Sequence, residues 1–222
     1  MRSVFDIIGP AMIGPSSSHT AGAVRIGLVA RHLLGAPPTS ARIGLHGSFA
    51  ATGGGHATDR GMVAGLLGWM PDDERLKDSL QAATELGMLV EFHEENLGET
   101  AHPNSALVEL VAGDGASLIL QAASTGGGNI ETVSVDGFDA RFSGALDTLV
   151  IWHLDRPGFL AHVTALFACI ESNVASIRTA RTHRGADALT IIELDAVPLP
   201  EVMALLEKIE HVRKLRVLPP IS

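Results

Sequence analysis

Apolar residues recur along the chain at two different spacings, one typical of helices and one typical of strands. Near the start, four of them stand three, four and three positions apart: Ala23, Ile26, Ala30 and Leu33. Gly35 follows this stripe, and glycine readily adopts the conformation that ends a helix. The spacing therefore predicts a helix ending near Gly35, and similar patterns predict helices over 56–68 and 74–86.

Short apolar segments bounded by glycine and polar residues predict β-strands between and after these helices. They cover residues 41–47, 89–92, 106–111, 117–122 and 132–135. Helices and strands are mixed, and the later strands follow one another closely enough to pair antiparallel. The first part of the chain is therefore expected to be an α+β domain, a mixed α/β sandwich.

The last part of the chain has a different and more regular order of elements. The pattern predicts strands over 148–154, 174–182, 188–194 and 212–218, with helices over 159–170 and 202–209. The order βαββαβ is that of a ferredoxin-like fold. We therefore predict two domains, residues 1–146 and residues 147–222.

Composition narrows the class of protein. The 222 residues carry a formal net charge of −9, and 46% of them are hydrophobic. The sequence lacks the basic stripe of a nucleic-acid-binding protein and the long apolar segment of a membrane span. We expect a folded cytoplasmic protein that binds neither nucleic acid nor membrane.

Cysteine and lysine usage bears on cofactors. Cys169 is the single cysteine, so this chain cannot supply the thiolates of an iron–sulfur cluster, and we expect a buried structural thiol. The three lysines, Lys77, Lys208 and Lys214, lie in polar stretches unsuited to a Schiff base. We expect neither pyridoxal phosphate nor a metal site in this chain.

The segment Gly14-Pro-Ser-Ser-Ser-His-Thr20 stands directly before the first predicted helix. Free backbone N–H groups at a helix N-terminus favour an anion, and serine hydroxyls can donate to a carboxylate. One serine or threonine would be enough for an ordinary helix cap. Three serines and a histidine exceed that need, so an anion site and a cap both remain open here.

A second polar segment joins a strand to a helix. Gly47-Ser48 is followed by Gly53-Gly-Gly-His-Ala-Thr-Asp59, with His56 and Asp59 three apart and therefore on one helix face. A neutral histidine is a reasonable general base, and Asp59 would orient it. The alternative is a glycine loop with a capping aspartate.

Two further segments have weaker signals. His102-Pro-Asn104 precedes a strand, and its proline rigidly presents the neighbouring side chains, or simply makes a turn. Ser124-Thr-Gly-Gly-Gly-Asn129 lies between two strands. Its glycines suit either a backbone-lined ligand loop or a flexible connection.

Taken together, these four segments, in this order and spacing, resemble the beta chain of iron–sulfur-dependent L-serine dehydratases. The tail, with Asp155-Arg-Pro-Gly158 and Asn173-Val-Ala-Ser-Ile177, resembles an ACT domain. The first domain is also similar to an allosteric substrate-binding domain of some phosphoglycerate dehydrogenases. The two resemblances cover nearly the whole chain.

The resemblance implies a lyase that converts L-serine to pyruvate and ammonia, a reaction connected with gluconeogenesis. It implies a cysteine-bearing alpha chain that ligates a 4Fe–4S cluster, and an active site that this chain completes. It implies catalytic roles for His56, His19 and Asp59, with His56 favoured as the base. The residues expected to bind substrate are Ser16, Ser17, Ser18, Thr20, His102 and Asn104.

The ACT resemblance implies a homodimer formed through this domain and an effector near Asp155, Gly158 and Asn173, with serine the first candidate. ACT domains that serve assembly alone are the alternative. For the whole chain, the alternatives to a catalytic subunit are a stand-alone amino-acid-binding regulatory protein and a scaffold subunit that contributes no side chain to the chemistry.

Overall fold

The computed structural model describes Gly14, residues 16–52 and residues 57–221. It divides into two compact units, one ending at Gly137 and the other spanning Phe138–Ile221. Each unit is built on its own β-sheet. The predicted boundary after residue 146 falls immediately before the strand that begins at Asp147.

The first unit contains four α-helices and five strands among its described residues. The helices are α1 (Gly22–Leu34), α2 (Ser48–Thr52), α3 (Thr58–Leu66) and α4 (Ser79–Glu85). The strands are β1 (Pro38–Leu45), β2 (Leu89–Glu94), β3 (Ser105–Ala112), β4 (Ser117–Gly126) and β5 (Asn129–Val135). A π-helical turn, Ser17–Ala21, leads into α1, and a 3-10 turn, Glu74–Asp78, leads into α4.

The sheet of the first unit runs in the order β2-β1-β3-β4-β5. β1 and β2 are parallel, and the remaining neighbours are antiparallel, as expected for the later strands. A parallel pair requires a long crossover, which the helical stretch between β1 and β2 supplies. Ile43, Val108 and Leu120 are paired across three adjacent strands and are fully buried, so they mark the apolar face of the sheet.

Helix α1 is the centre of the first unit. The predicted stripe is confirmed, but the helix is buried on nearly all sides from Gly22 to Ala30, as is typical of a core helix. It packs directly against α3. A Cβ atom at Gly27 would collide with the carbonyl of Met62, and one at Gly65 with the carbonyl of Val24. Glycine at these two positions therefore sets the close approach of the two helices.

The second unit has the βαββαβ order predicted from the sequence. After the short strand β6 (Phe138–Asp139) come β7 (Asp147–Leu154), α5 (Phe159–Cys169), β8 (Val174–Arg181), β9 (Asp187–Leu194), α6 (Pro200–Glu207) and β10 (Val212–Leu218). The strand order is β10-β7-β9-β8, with every pair antiparallel. This is a ferredoxin-like fold.

The core of the second unit lies between its sheet and its two helices. Nine buried residues form it: Leu149, Ile151, Phe159, Val163, Phe167, Ile192, Leu194, Leu206 and Leu215. The helix positions that reach this core recur every four residues along α5. Cys169 stands two residues after Phe167, which turns it away from the sheet, and it is exposed. The expectation of a buried thiol is therefore wrong.

Among the residues that the structure describes, no helix combines the length and the apolar character needed to cross a membrane.

Candidate functional site

The serine-rich segment forms a π-helical turn at the N-terminus of α1. Ser16 caps this turn, because its hydroxyl accepts a hydrogen bond from the His19 backbone N–H at 3.2 Å. Gly14 has a φ of +134°, and a Cβ atom there would lie 2.7 Å from the Thr20 hydroxyl. π-turns of this kind are rare and occur frequently at functional sites.

The His19 ring has hydroxyl partners on both of its nitrogens. Nδ1 lies 3.1 Å from Ser18 Oγ and 3.3 Å from Ser16 Oγ, and Nε2 lies 3.1 Å from Ser48 Oγ. The ring also meets Phe49 edge-on, with 5.4 Å between ring centroids. His19 is thus fixed in place while its surroundings remain polar.

The N-terminal turn of α1 offers donors to an anion. Ser17 and Ser18 occupy the first turn, where backbone N–H groups have no carbonyl partner within the helix. Their residues are only partly buried, as are Ser16 and His19. Thr20, by contrast, is completely buried. The turn therefore presents three serines and a histidine, with Thr20 beneath them.

The turn around His102-Pro-Asn104 is joined to the segment that carries Ser48. A Cβ atom at Gly47 would lie 2.8 Å from the carbonyl oxygen of Pro103, and Gly47 has a φ of +57°. His102 Nδ1 accepts the backbone N–H of Asn104 at 3.1 Å. When the ring is neutral, its proton is therefore on Nε2, where it can be donated to a ligand.

The Ser124–Asn129 segment is a hairpin and not a wide loop. Strand β4 continues to Gly126 and β5 starts at Asn129, so that only Gly127 and Gly128 separate them. The Ser124 backbone N–H donates to the Asn104 carbonyl at 2.9 Å, which ties the hairpin to the neighbouring turn. Most of this segment is therefore strand, and whether its glycine turn lines a ligand stays a prediction.

The same hairpin packs against the start of α1. A Cβ atom at Gly22 would collide with the side chain of Ser124. Arg25, which is 7% exposed, donates from Nη1 to the Gly128 carbonyl at 2.6 Å, and burial lowers the pKa of its guanidinium. All four polar segments are therefore linked by contacts around one end of α1.

Two buried hydroxyls border this region without a hydrogen-bond partner among the described residues. They are Ser124 Oγ, next to Gly22, and Thr58 Oγ1, at the start of α3. Asp59 follows Thr58, and its Oδ1 accepts the backbone N–H of Arg60 at 2.7 Å. His56 lies outside the described residues, so its pairing with Asp59 stays a prediction.

The three residues expected to bind an effector do not form one cluster within the second unit. Asp155 accepts hydrogen bonds from Arg181 Nη1 at 2.7 Å and from the Gly185 N–H at 3.0 Å. Both bonds lower the pKa of the Asp155 carboxyl, and the bond from Gly185 has the larger effect. Asn173 donates to Asp195 at the other end of β9, at 2.6 Å. Eight residues of strand, roughly 25 Å, separate the two ends.

Gly158 lies near Asp155, at the start of α5. It has a φ of +88°, in the left-handed region, and stands as the N-cap of the helix. Asp155 and Gly158 thus share one end of the sheet, and Asn173 lies at the opposite end.

The donor atoms of the described residues do not come together into a metal site. No group of three or more His, Cys, Asp or Glu side chains among them could hold a metal ion. The one cysteine is exposed on α5, in the second unit. These donors do not fit an iron–sulfur cluster.

Sequence reasoning identified the polar segments but missed two side chains that organise them. Ser48 was named only within a motif, and its contact with His19 spans 29 positions of sequence. Arg25 lies within the mostly apolar helix α1 and was not predicted to make a contact. A charged residue within an otherwise apolar helix was the signal that could have marked it as buried and paired.

The chain matches two families of known proteins. Residues 3–134 match the family described as serine dehydratase beta chain, and residues 148–211 match the ACT domain family.

Individual relatives are similar over most of the chain. A probable L-serine dehydratase beta chain from Bacillus subtilis (strain 168) is 44% identical over 194 residues, 87% of each chain. The L-serine dehydratase beta chain of Peptoniphilus asaccharolyticus is 36% identical over 90% of this chain and 89% of its own. L-serine dehydratase 2 of Escherichia coli (strain K12) is 34% identical over 59% of this chain and 33% of its own length.

Proposed function

The chain belongs to the serine dehydratase beta chain family, and on this premise we propose that it is the beta subunit of an L-serine dehydratase. This enzyme is a lyase, and an alpha chain completes it. The observation that carries the proposal is the convergence of four polar segments at the N-terminus of α1, around His19.

The substrate carboxylate is assigned to the serine-rich turn. The first-turn N–H groups and the hydroxyls of Ser16, Ser17 and Ser18 provide donors, and the dipole of α1 favours a negative charge there. Thr20 is buried beneath the turn, so in this proposal it supports the serines from below. His102, with a proton available on Nε2, and Asn104 border the same region and contact the substrate from the neighbouring turn.

The reaction removes the Cα proton of L-serine and releases the β-hydroxyl as water, which leaves aminoacrylate. Aminoacrylate tautomerises to an imine, and water then converts it to pyruvate and ammonia. We assign the proton removal to a histidine of this chain, His56 in first place and His19 in second, with Asp59 orienting His56. Pyruvate formation would connect this step with gluconeogenesis.

The 4Fe–4S cluster is assigned to the alpha chain, because this chain has a single cysteine and its described residues form no group of metal-ligating side chains. In this proposal the chain contributes donors for the carboxylate and an imidazole for the proton.

The test is anaerobic co-expression with a cysteine-bearing alpha chain, followed by a pyruvate assay. We expect His56→Ala to lower kcat by about 100-fold or more with the cluster intact, because general base catalysis contributes that much. Near-normal turnover of this variant would remove His56 from the role of base.

The carboxylate assignment makes a separate prediction. Ser17→Ala should raise KM by roughly tenfold and leave kcat little changed, since it removes a donor to a substrate group distant from the reacting bonds. Steady-state kinetics over a range of serine concentrations measures this, and an unchanged KM contradicts the assignment.

A regulatory role of the ACT domain needs two copies of the chain. Asp155 and Asn173 lie at opposite ends of β9, so one amino acid cannot touch both within a single chain. β8 is an edge strand and largely exposed, which suits side-by-side pairing of two ACT domains. We therefore propose a homodimer with L-serine as the first candidate effector. Sedimentation and thermal shift of the full chain with serine test it: a monomer with no shift rejects the proposal.

A further inference from the structure

The hydroxyl of Ser48 faces the His19 imidazole. Ser48 is the first residue of α2, and a serine near a helix start often bonds to backbone groups of its own helix. Here the backbone N–H of Ala51 donates to the Gly47 carbonyl at 3.0 Å, and Ser48 Oγ lies 3.1 Å from His19 Nε2. The hydroxyl is therefore directed at a ring 29 positions earlier in the chain.

The position of Ser48 is set by the backbone around it. The φ of Gly47 is +57°, and its Cα packs so closely on Pro103 that a Cβ atom would not fit without a shift. The Phe49 N–H lies 3.1 Å from the His46 carbonyl and 3.3 Å from the Pro103 carbonyl. Phe49 itself is fully buried. Ser48 is thus held between a closely packed glycine and an anchored phenylalanine.

Hydroxyl partners suit a histidine that changes its protonation state. A hydroxyl can donate or accept, so the His19 ring keeps a partner on each nitrogen as either neutral tautomer and as the cation. A carbonyl partner would accept only, and would fix a proton on that nitrogen.

We infer that Ser48 is a positioning residue for His19: its hydroxyl orients the ring and satisfies Nε2 in every protonation state. The inference rests on the proposed function, because it assumes that His19 acts during turnover, and it adds a residue to which no role has been assigned. Ser48 works through His19 and is not itself assigned a contact with substrate.

The kinetic test uses three substitutions in the enzyme reconstituted with its alpha chain. We expect Ser48→Ala to lower kcat roughly tenfold with KM within about twofold, the effect of losing one hydrogen bond to a working group. Ser48→Thr, which keeps a hydroxyl, should return kcat to within about threefold of wild type.

Thr52→Ala is the matched control. The Thr52 hydroxyl donates to the Ser48 carbonyl within the same helix at 2.7 Å, so its loss perturbs α2 without removing the bond to His19. Wild-type kcat is expected for this variant. Equal losses in Thr52→Ala and Ser48→Ala, or full activity of Ser48→Ala, would overturn the inference.

A second readout does not depend on activity. In the purified chain with 15N-labelled histidine, the His19 ring signals are assigned by their disappearance in His19→Gln. Ser48→Ala should shift the Nε2 resonance, and Thr52→Ala should leave it in place. An unmoved Nε2 signal overturns the inference even if the reconstituted enzyme is active. A reconstituted wild type without activity contradicts the proposed function, while the resonance still reports on Ser48.

Discussion

Each of the two units contains a histidine with hydrogen-bond partners on both ring nitrogens, but the partners differ in kind. His19, in the first unit, is half-buried, and hydroxyls lie within hydrogen-bond distance of both of its ring nitrogens. His153, in the second unit, is 3% exposed; its Nδ1 lies 2.8 Å from the Leu154 carbonyl and its Nε2 2.8 Å from Thr190 Oγ1.

This difference in hydrogen-bond partners indicates which of the two histidines can take part in proton transfer. A carbonyl only accepts, so Nδ1 of His153 carries the proton, and Thr190 Oγ1 donates to Nε2. The ring also stacks on Phe159, with 3.6 Å between centroids. Burial is the main reason that the pKa of His153 is lowered. His153 is thus a neutral core residue, whereas the partners of His19 permit it to gain and lose a proton.

The largest effect should come from exchanging each histidine for asparagine. In the reconstituted enzyme, His19→Asn is expected to lower kcat by about tenfold or more, because the serine-rich turn loses its imidazole, and to change the free energy of unfolding by less than about 1 kcal/mol. His153→Asn should leave kcat within about threefold of wild type and lower the free energy of unfolding by roughly 2 kcal/mol. Steady-state kinetics and urea unfolding of both variants measure these effects. If both variants lost similar amounts of kcat and of stability, the two histidines would not differ in role.

The two units also differ in how their helices pack. The first unit brings α1 and α3 together through glycines, whereas α5 reaches its sheet through phenylalanine side chains. Gly65→Ala should lower the free energy of unfolding by about 2 kcal/mol, because its Cβ meets the backbone of Val24.

Gly113→Ala is the control for this substitution. A Cβ atom there would lie 3.5 Å from a methyl group of Thr39, an ordinary contact. Urea unfolding should find this variant within about 0.5 kcal/mol of wild type. Equal stability of the Gly65→Ala and Gly113→Ala variants would contradict the close packing of α1 on α3.

The smallest effect concerns pH. Folding lowers the pKa of His153, so the unfolded chain binds a proton at this residue more readily than the folded chain does. The free energy of unfolding should therefore decrease as the pH falls below about 6.5. The slope from this one group is at most about 1.4 kcal/mol per pH unit. Urea unfolding between pH 7.5 and 5.5 should therefore show a smaller loss in His153→Asn than in wild type. Identical slopes would show that His153 does not titrate differently in the folded state.

Much of the fold could be predicted because periodicity is a local property. The strand over 212–218 and the helix ending before Gly35 were predicted within about a residue. Helix α2, Ser48–Thr52, was missed because five residues are too few to show a helical period. The exposure of Cys169 was missed because a shift of one position along α5 decides whether a side chain faces the sheet or the solvent.

The candidate site was predictable in its segments and not in its contacts. The serine-rich turn, Gly47-Ser48 and the His102 turn were all identified by composition. That Thr20 is buried, and that Ser48 reaches His19, depends on how distant segments pack, which a single sequence does not encode locally. The same holds for Asn173, whose distance from Asp155 follows from strand register.

In the proposed enzyme this chain supplies imidazole side chains to the reaction and does more than hold its partner in place. The direct test is the turnover of the enzyme reconstituted with a chain carrying both His19→Gln and His56→Gln, with complex formation verified by sedimentation. We expect a stoichiometric complex whose kcat is lower than wild type by about 1000-fold. A stoichiometric complex that produces pyruvate at the wild-type rate would contradict it, and the chain would then be a scaffold.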